Sequence, residues 1–432
     1  MLQAALAAAD PGAAVRCALS LQRHILRAAG RTYNLRRIRR VAVVGAGKAA
    51  VPMARAVAAV LRGRLESVFV VSSKGSAVGA PSGFDVVEAG HPIPDRRGLR
   101  AARRMLDVAS SLDKADLLIV LLSGGASSLL PLPDAGLTLA DKQRVTRLLL
   151  RSGATIAELN AVRKHLSAIK GGRLAAATRA QVLTLILSDV GGDDPGVIGS
   201  GPTEPDRTTF LDAVRIVRKH GLWEQLPTPV RIHLVEGLAG WRPETPKPRG
   251  RIFRRVHHVV VGNNRLAKEA AAKAARAAGY ESVLIEEFVT GEASLVGRWM
   301  GELGKNLASR AALPGPVCVL AGGELTVTVK GSGKGGRAQE CALAAALAMQ
   351  GAAGVWVVGV GTDGCDGPTD AAGAVVDGNT VACGKQKRLN AEVYLKRHDS
   401  YTFFKKVGGH IVTGPTGTNV NDLYLVLVRP MK

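Results

Sequence analysis

Cysteine, aromatic residues and long apolar runs are all scarce in this chain of 432 residues, and each scarcity excludes something. The five cysteines (Cys17, Cys318, Cys341, Cys365, Cys383) are scattered, odd in number and never spaced as CxxC. That argues against a disulfide framework or a zinc site and suits a reducing cytoplasm. Aromatic residues make up only 4% of the chain, so stacking platforms for single-stranded nucleic acid are few. The longest apolar runs, such as Val182–Leu187, are strand-sized and too short to span a membrane. The stretch Met1–Leu26 lacks a basic region followed by an unbroken apolar core. It is expected to be a helix broken near Asp10-Pro11, not a signal peptide.

Charge is the one property in excess. Lysine and arginine outnumber the acids to give a formal net charge of +23. The basic residues are spread along the chain, with denser stretches at Arg36–Arg40 and Pro246–Arg255. No helix-turn-helix, RNP-type or zinc-finger pattern accompanies them, so nucleic acid is not expected as the partner. Long-range attraction of small anionic substrates is the milder consequence.

Apolar runs alternate with Ala/Leu/Arg-rich stretches of helical character. Strands are expected at Val41–Val44, Val68–Val71, Leu117–Leu122 and Val182–Leu187, with helices between them. This alternation predicts an α/β fold with a parallel sheet covered on both faces. Pro227–Gly250 holds five prolines and reads as a linker. It would separate an N-terminal domain (1–240) from a smaller C-terminal α/β domain (251–432). In the latter, strands are expected at Val256–Val261, Ser282–Ile285, Gly354–Val360, Ala374–Asp377 and Tyr424–Val428, with a hairpin around Thr326–Val329.

Ligands of such sheets gather at the carboxyl ends of strands, and glycine-rich turns follow several of them. Gly45-Ala46-Gly47-Lys48-Ala49-Ala50 loosely matches a dinucleotide fingerprint. The acid that would bind a ribose hydroxyl is missing, because the next strand ends in Ser72-Ser73-Lys74. This counts against NAD and leaves NADP open. A lysine is poorly placed at a helix N-terminus for stability alone, so Lys48 is expected to meet a phosphate or carboxylate. Ser123-Gly124-Gly125-Ala126-Ser127 resembles an anion nest carrying hydroxyls, and the absence of G-x-S-x-G disfavours a nucleophilic serine. Asn160, Arg163, Ser167 and Lys170 share one side of a helix that has no acid on that stripe, and His165 reads as structural. Gly331–Arg337 looks like a P-loop but lacks the Ser/Thr after the lysine. Arg337 at a helix start could instead neutralise phosphoryl charge. Asp363, Asp366 and Asp370 on a turn could hold magnesium, although Asx turns explain the same residues.

The order of these motifs resembles the class II glycerate 2-kinases, with a DUF4147-type N-terminal domain and a C-terminal MOFRL domain. The resemblance is carried by GAGKAA (45–50), HPIPD (91–95), LSGGASS (122–128), LNAVRKHLSAIKGGRL (159–174), LSDVGGDDPGVIGSGPTEPD (187–206), GNN (262–264), GGELTVTVKGSGKGGRAQE (322–340), GTDGCDGPTDAAGA (361–374) and TGPTGTNVNDLYL (413–425). It implies a Rossmann-like N-terminal domain, a site in the interdomain cleft, and ATP- and Mg²⁺-dependent phosphorylation of D-glycerate at its 2-hydroxyl. It makes Lys48, Arg337 and Asp189 the catalytic candidates, and Asp189, Asp363 and Asp366 the metal candidates. Gly45, Gly47, Ser123, Gly124, Gly125, Ala126, Ser127, Asn160, Arg163, Lys170, Asn264, Glu324, Glu340, Thr416, Asn419 and Asn421 would line the substrate and nucleotide sites. Some members carry a hydroxypyruvate reductase label, which keeps an NADP-dependent reductase as the alternative. The family often has Asn where Ala338 stands and Gly where Ala126 stands. A cytoplasmic location, no membrane partner and an open oligomeric state complete the expectation.

Overall fold

A computed structural model describes residues 1–76, 79–309 and 315–430. The chain forms two compact units, Pro11–Val261 and a smaller one made of Met1–Asp10 with Gly262–Lys432.

In the larger unit, a three-stranded antiparallel meander (Leu19–Gln22, Ile25–Ala28, Arg31–Asn34) precedes the main sheet. The main sheet comprises β1 (Val41–Ala46), β2 (Ser67–Ser73), β3 (Asp85–Ala89), β4 (Leu117–Leu122), β5 (Gln181–Leu187) and β6 (Val256–Gly262). Their order is β3-β2-β1-β4-β5-β6, and β1 to β5 pair in parallel. The chain therefore winds outward from β1 in one direction, returns, and winds outward again from β4. The topological switch lies between β1 and β4. Every residue of β1 and of β4 is buried, as continuous Val/Leu/Ile runs covered on both faces require. Val44, Phe69, Val120 and Val182 form one core face with Ala101, Ala102 and Met105 of α2 (Arg96–Ser110), while α1 (Ala50–Leu61) packs on the strands from the other side.

A helical subdomain follows. Here α3 (Ile156–His165), α4 (Phe210–Lys219) and α5 (Thr228–Leu238) pack around Phe210, Val217, Val230 and Leu234. Thus the proline-rich stretch read as a linker is instead part of a core. Pro229 stands in the first turn of α5, where proline removes no helical bond, and Gly237 leaves room for the Phe210 ring. The boundary moves accordingly from 240–251 to residue 262, and the first ten residues leave the larger unit. The N-terminal stretch does break at Asp10, but it turns to strand at Leu19 instead of continuing as helix.

The smaller unit carries β7 (Glu281–Glu292), β8 (Val317–Thr326), β9 (Val355–Gly361), β10 (Gly373–Asp377), β11 (His410–Ile411) and β12 (Asp422–Val428), in the order β7-β8-β12-β9-β10-β11. This sheet is mixed: β7 and β8 are parallel, and β12 runs antiparallel between β8 and β9. Three helices flank it, α6 (Asn264–Ala277), α7 (Ala293–Ala308) and α8 (Arg337–Ala348). The hairpin expected at Thr326–Val329 is absent: β8 ends at Thr326 and its main neighbours are β7 and β12.

One buried carboxylate ties the bottom of the larger sheet together. Asp116, just before β4, accepts from Arg39 Nε at 3.2 Å and Arg40 Nη2 at 2.7 Å, just before β1, and from the Asp113 amide at 2.9 Å. Asp116→Ala should therefore lower unfolding free energy by about 1–3 kcal/mol, since both arginines can return to water. Urea denaturation checks this, and a loss below ~0.5 kcal/mol contradicts it.

Candidate active site

Two groups of functional side chains form, one in each unit. In the larger unit the loops after β1 and β4 meet at the topological switch. Gly47 adopts φ +134, and a Cβ there would stand 2.1 Å from Ser123 Oγ, so only glycine fits. The amides of Gly47, Lys48, Ala49 and Ala50 donate to Val71 O, Gly124 O, Ser123 Oγ and Gly47 O at 3.1, 2.9, 3.0 and 3.2 Å. The GAGK turn is thus a closed joint, and its backbone is already engaged. Gly45 likewise packs on Leu121, so Gly45, Gly47 and Ser123 serve as scaffold. What the joint presents is the half-buried Lys48 at the start of α1.

The turn after β4 is different. Among the described residues, the amides of Gly124, Gly125 and Ser127 have no acceptor. Gly125 at φ +86 exposes this nest, and the His91 ring lies against it, 2.9 Å from where a Cβ would be. Packing of that ring, and then the charge of Lys48, push the His91 imidazole below its usual range. The next shell is built of hydroxyls. Ser127 Oγ meets Ser200 Oγ at 2.9 Å, and Ser200 Oγ donates to Asn160 Oδ1 at 2.8 Å. The Nδ2 of Asn160 is buried without a partner. Lys170, almost wholly buried, donates to Ser127 O at 2.9 Å, Ser127 Oγ at 3.1 Å and Gly199 O at 3.3 Å. Burial, then Lys142 and Arg163, hold its ammonium well below the ordinary lysine value. Burial likewise lowers Arg163, to about 10, and Lys142, to about 7. Ala126 is buried beneath the nest near Gly199 and offers no polar side-chain contact. Asp189 is half-buried just beyond the end of β5. His165 is structural as expected: Nδ1 lies 2.7 Å from Ala161 O and Nε2 3.1 Å from Glu244.

In the smaller unit the antiparallel β12 begins where β8 and β9 end, so Asp422 sits opposite Gly323 and Gly361. Arg337, opening α8, grips Asp422 through Nε at 2.6 Å and Nη2 at 3.1 Å, and Glu324 through Nη1 at 2.7 Å. The guanidinium expected to neutralise phosphoryl charge is thus held by two carboxylates. Burial pushes Asp422 up to about 6, against the pull of Arg337. Tyr424 also donates to Asp422, at 2.8 Å. Asn421 links its amide to Glu324 at 3.3 Å and leaves Oδ1 buried and unpartnered.

Several other expected ligands have polar atoms engaged within the protein. Asn264 donates to the Val420 and Asp422 carbonyls at 2.8 and 3.0 Å. Glu340 is buried against His398 Nδ1 at 2.9 Å. Thr416 donates to the Thr362 carbonyl, and Asn419 accepts from the Asn421 amide. Asp366 accepts the Ala338 and Gln339 amides at 3.0 and 2.8 Å at the start of α8 and is buried, so its carboxylate is engaged as a helix cap. The Gly331–Gly336 loop is packed tightly on residues 397–400 and Asp366, which explains its glycines without a phosphate. Asp363 is half-buried and accepts the Cys365 amide at 3.0 Å. Among the described residues no group of three His, Cys, Asp or Glu could hold a metal by itself. The donor set therefore fits a cation that takes one carboxylate, Asp189 or Asp363, and completes its shell on a substrate's phosphates, as Mg²⁺ does.

Comparison with known proteins identifies the family. The model "Domain of unknown function (DUF4147)" matches residues 1–235 and the model "MOFRL family" matches residues 317–422. A Pyrococcus horikoshii protein named glycerate 2-kinase is 40% identical, over 98% of this chain and 95% of its own length. The chain belongs to the class II glycerate 2-kinase family. The solved structure of the Thermotoga maritima glycerate kinase superposes with a TM-score of 0.87 at 38% identity, covering 99% of this chain and 97% of that one. An Agrobacterium vitis relative, 43% identical over 90% of this chain and 87% of its own length, bears a hydroxypyruvate reductase name.

Sequence reasoning missed His91, Lys142, Ser200 and Asp422. Asp422 had a legible signal, as the one acid opening the apolar run DLYLVLV. Lys142 had none, because a lysine in an amphipathic helix reads as a solvent-facing charge.

Lys142 and Lys170 bind fewer protons folded than unfolded, where lysine titrates near ~10.4. Stability should therefore rise with pH between about 7 and ~10, and Lys142→Met should flatten that rise. The variant should also be more stable than the parent at pH 7, by roughly 1–3 kcal/mol. Urea midpoints at pH 7 and 9 decide it; a variant less stable at both, with an unchanged slope, contradicts the assignment.

Proposed function

We propose that this protein transfers the γ-phosphoryl group of ATP to the 2-hydroxyl of D-glycerate, giving 2-phospho-D-glycerate and ADP. The observation that carries the reading is the open nest of Gly124, Gly125 and Ser127 amides beside Lys48 and Lys170. Phosphoryl transfer needs this kind of site. Its transition state spreads charge over oxygens, and catalysis comes from positioning and charge neutralisation. Lys48 is the candidate cation of the larger unit. In the smaller unit it is Arg337, whose pairing with Asp422 fixes its remaining N–H groups in place and makes it a preorganised donor. Asp189 or Asp363 would orient the attacking hydroxyl or hold Mg²⁺, which would supply charge neutralisation at the phosphates.

The relatives' names support the same reading, the Pyrococcus protein being called glycerate 2-kinase and the Thermotoga protein glycerate kinase. The NADP-reductase alternative is weakened by the closed GAGK joint. Dinucleotide sites receive the pyrophosphate on free amides at this helix start, and here the amides of residues 47 to 50 are taken. No acid ends β2 either, where Ser72 and Ser73 stand.

Purified protein given ATP, Mg²⁺ and D-glycerate should release ADP only when the acid is present. NADPH oxidation with hydroxypyruvate, and no ADP release, would reverse the assignment. Lys48→Ala should lower kcat by about a hundredfold or more with an unchanged circular dichroism spectrum. Near-normal turnover would remove Lys48 from the mechanism.

A further inference from the structure

A cavity of about 350 Å³ opens in the larger unit beside the nest, between the loop after β3 and the helix Leu139–Arg151. Its lining has two characters. Pro94, Leu139 and Leu150 are among its apolar walls, while Lys142, Arg147, Arg163 and Lys170 bring four cations and no carboxylate lines it. Lys142 and Lys170 are buried. The half-buried Arg163 guanidinium has no hydrogen-bond or ion-pair partner among the described residues, so its fork of donors is uncommitted. Asp134, outside the lining, acts on Lys142 alone; burying the remaining like charges together is costly, and an arginine fork is shaped for paired oxygens. The site therefore requires a polyanion. A three-carbon monocarboxylate would leave most of this charge uncompensated and fill only part of the volume, and its hydroxyls have no use for the apolar wall. A flat base against the wall with a polyphosphate on the cations satisfies both halves of the lining.

We infer that this cavity binds the nucleoside polyphosphate, with the phosphates on Lys142, Arg163 and Lys170 and the base on the Pro94–Leu139–Leu150 wall. The choice of nucleotide rests on the kinase reading. The cavity runs toward the nest: Ser127 and Pro92 line it, and His91, next to Pro92, lies against Gly125. A chain of phosphates entering here leads to the amides of Gly124, Gly125 and Ser127. Lys142 thus becomes a nucleotide-binding residue, and D-glycerate is left to bind outside the cavity.

Binding of ADP, read directly without turnover, tests this. Isothermal titration with MgADP should give a dissociation constant weakened about tenfold to a hundredfold in Lys142→Met and in Arg163→Met. The KM for D-glycerate in Lys142→Met should stay within about twofold of the parent, because removing a charged hydrogen bond to the substrate carboxylate would raise it about tenfold or more. Irradiation of the unmutated protein with 8-azido-ADP should label the segment Leu129–Arg151, a readout independent of how the variants fold. Unchanged ADP affinity in both variants overturns the proposal. So does a raised KM for D-glycerate with ADP affinity intact, which would give the cavity to the acid, and so does labelling confined to other segments. Intact ADP binding in a protein that phosphorylates no glycerate would instead refute the kinase reading and leave the nucleotide site standing.

Discussion

The joint between the β1 and β4 loops is the constraint from which the larger unit's chemistry follows. Ser123 Oγ accepts the Ala49 amide at 3.0 Å, and Gly47 has no room for even a methyl group beside it. The joint closes one glycine turn and leaves the other open. With the amides of residues 47 to 50 engaged, the start of α1 offers a side chain, Lys48. In the turn after β4, Gly124, Gly125 and Ser127 offer amides without an acceptor among the described residues. The backbone device that receives dinucleotides on other parallel sheets is here closed, and the open amides lie one strand over.

The two units handle charge in opposite ways. In the larger one, Lys142, Arg163 and Lys170 are gathered with only Asp134 acting on Lys142, and burial lowers all three. Such an arrangement is unfavourable without an anion, which is why we propose it as a binding device more than a stabilising one. In the smaller unit Arg337 is locked by Asp422 and Glu324. A paired guanidinium binds a free anion less strongly than a bare one, but it holds its geometry at no further ordering cost. The net charge of +23 is consistent with an anionic substrate, without any need for nucleic acid.

Much of the parallel sheet was legible because its central strands are covered on both faces. Leu117–Leu122 reads as a strand from its six apolar residues alone. The edge strand Asp85–Ala89 escaped, since a half-buried strand with acids at positions 85 and 88 shows no apolar run. Val317–Thr326 was obscured by Gly322 and Gly323, which are there because Asn264 and the Val289 carbonyl press on the strand. The prolines of Pro227–Gly250 suggested a linker because proline marks helix starts as readily as loops. At the site, residue types were legible and partnerships were not. Lys48, Lys170 and Arg337 stand out by kind and position. That Arg337 would be compensated, that Asp366 would cap α8, and that a lysine from an amphipathic helix would turn inward are facts of three-dimensional packing.

The central claim is that the site directs phosphate to one hydroxyl of a small acid, and the identity of the product tests it most directly. Phosphorus NMR, with proton coupling, of the product formed from ATP, Mg²⁺ and D-glycerate distinguishes a phosphate on C2 from one on C3. The account predicts 2-phospho-D-glycerate as the sole phosphorylated acid. A product carrying its phosphate on C3, or inorganic phosphate with no phosphorylated acid, would contradict it.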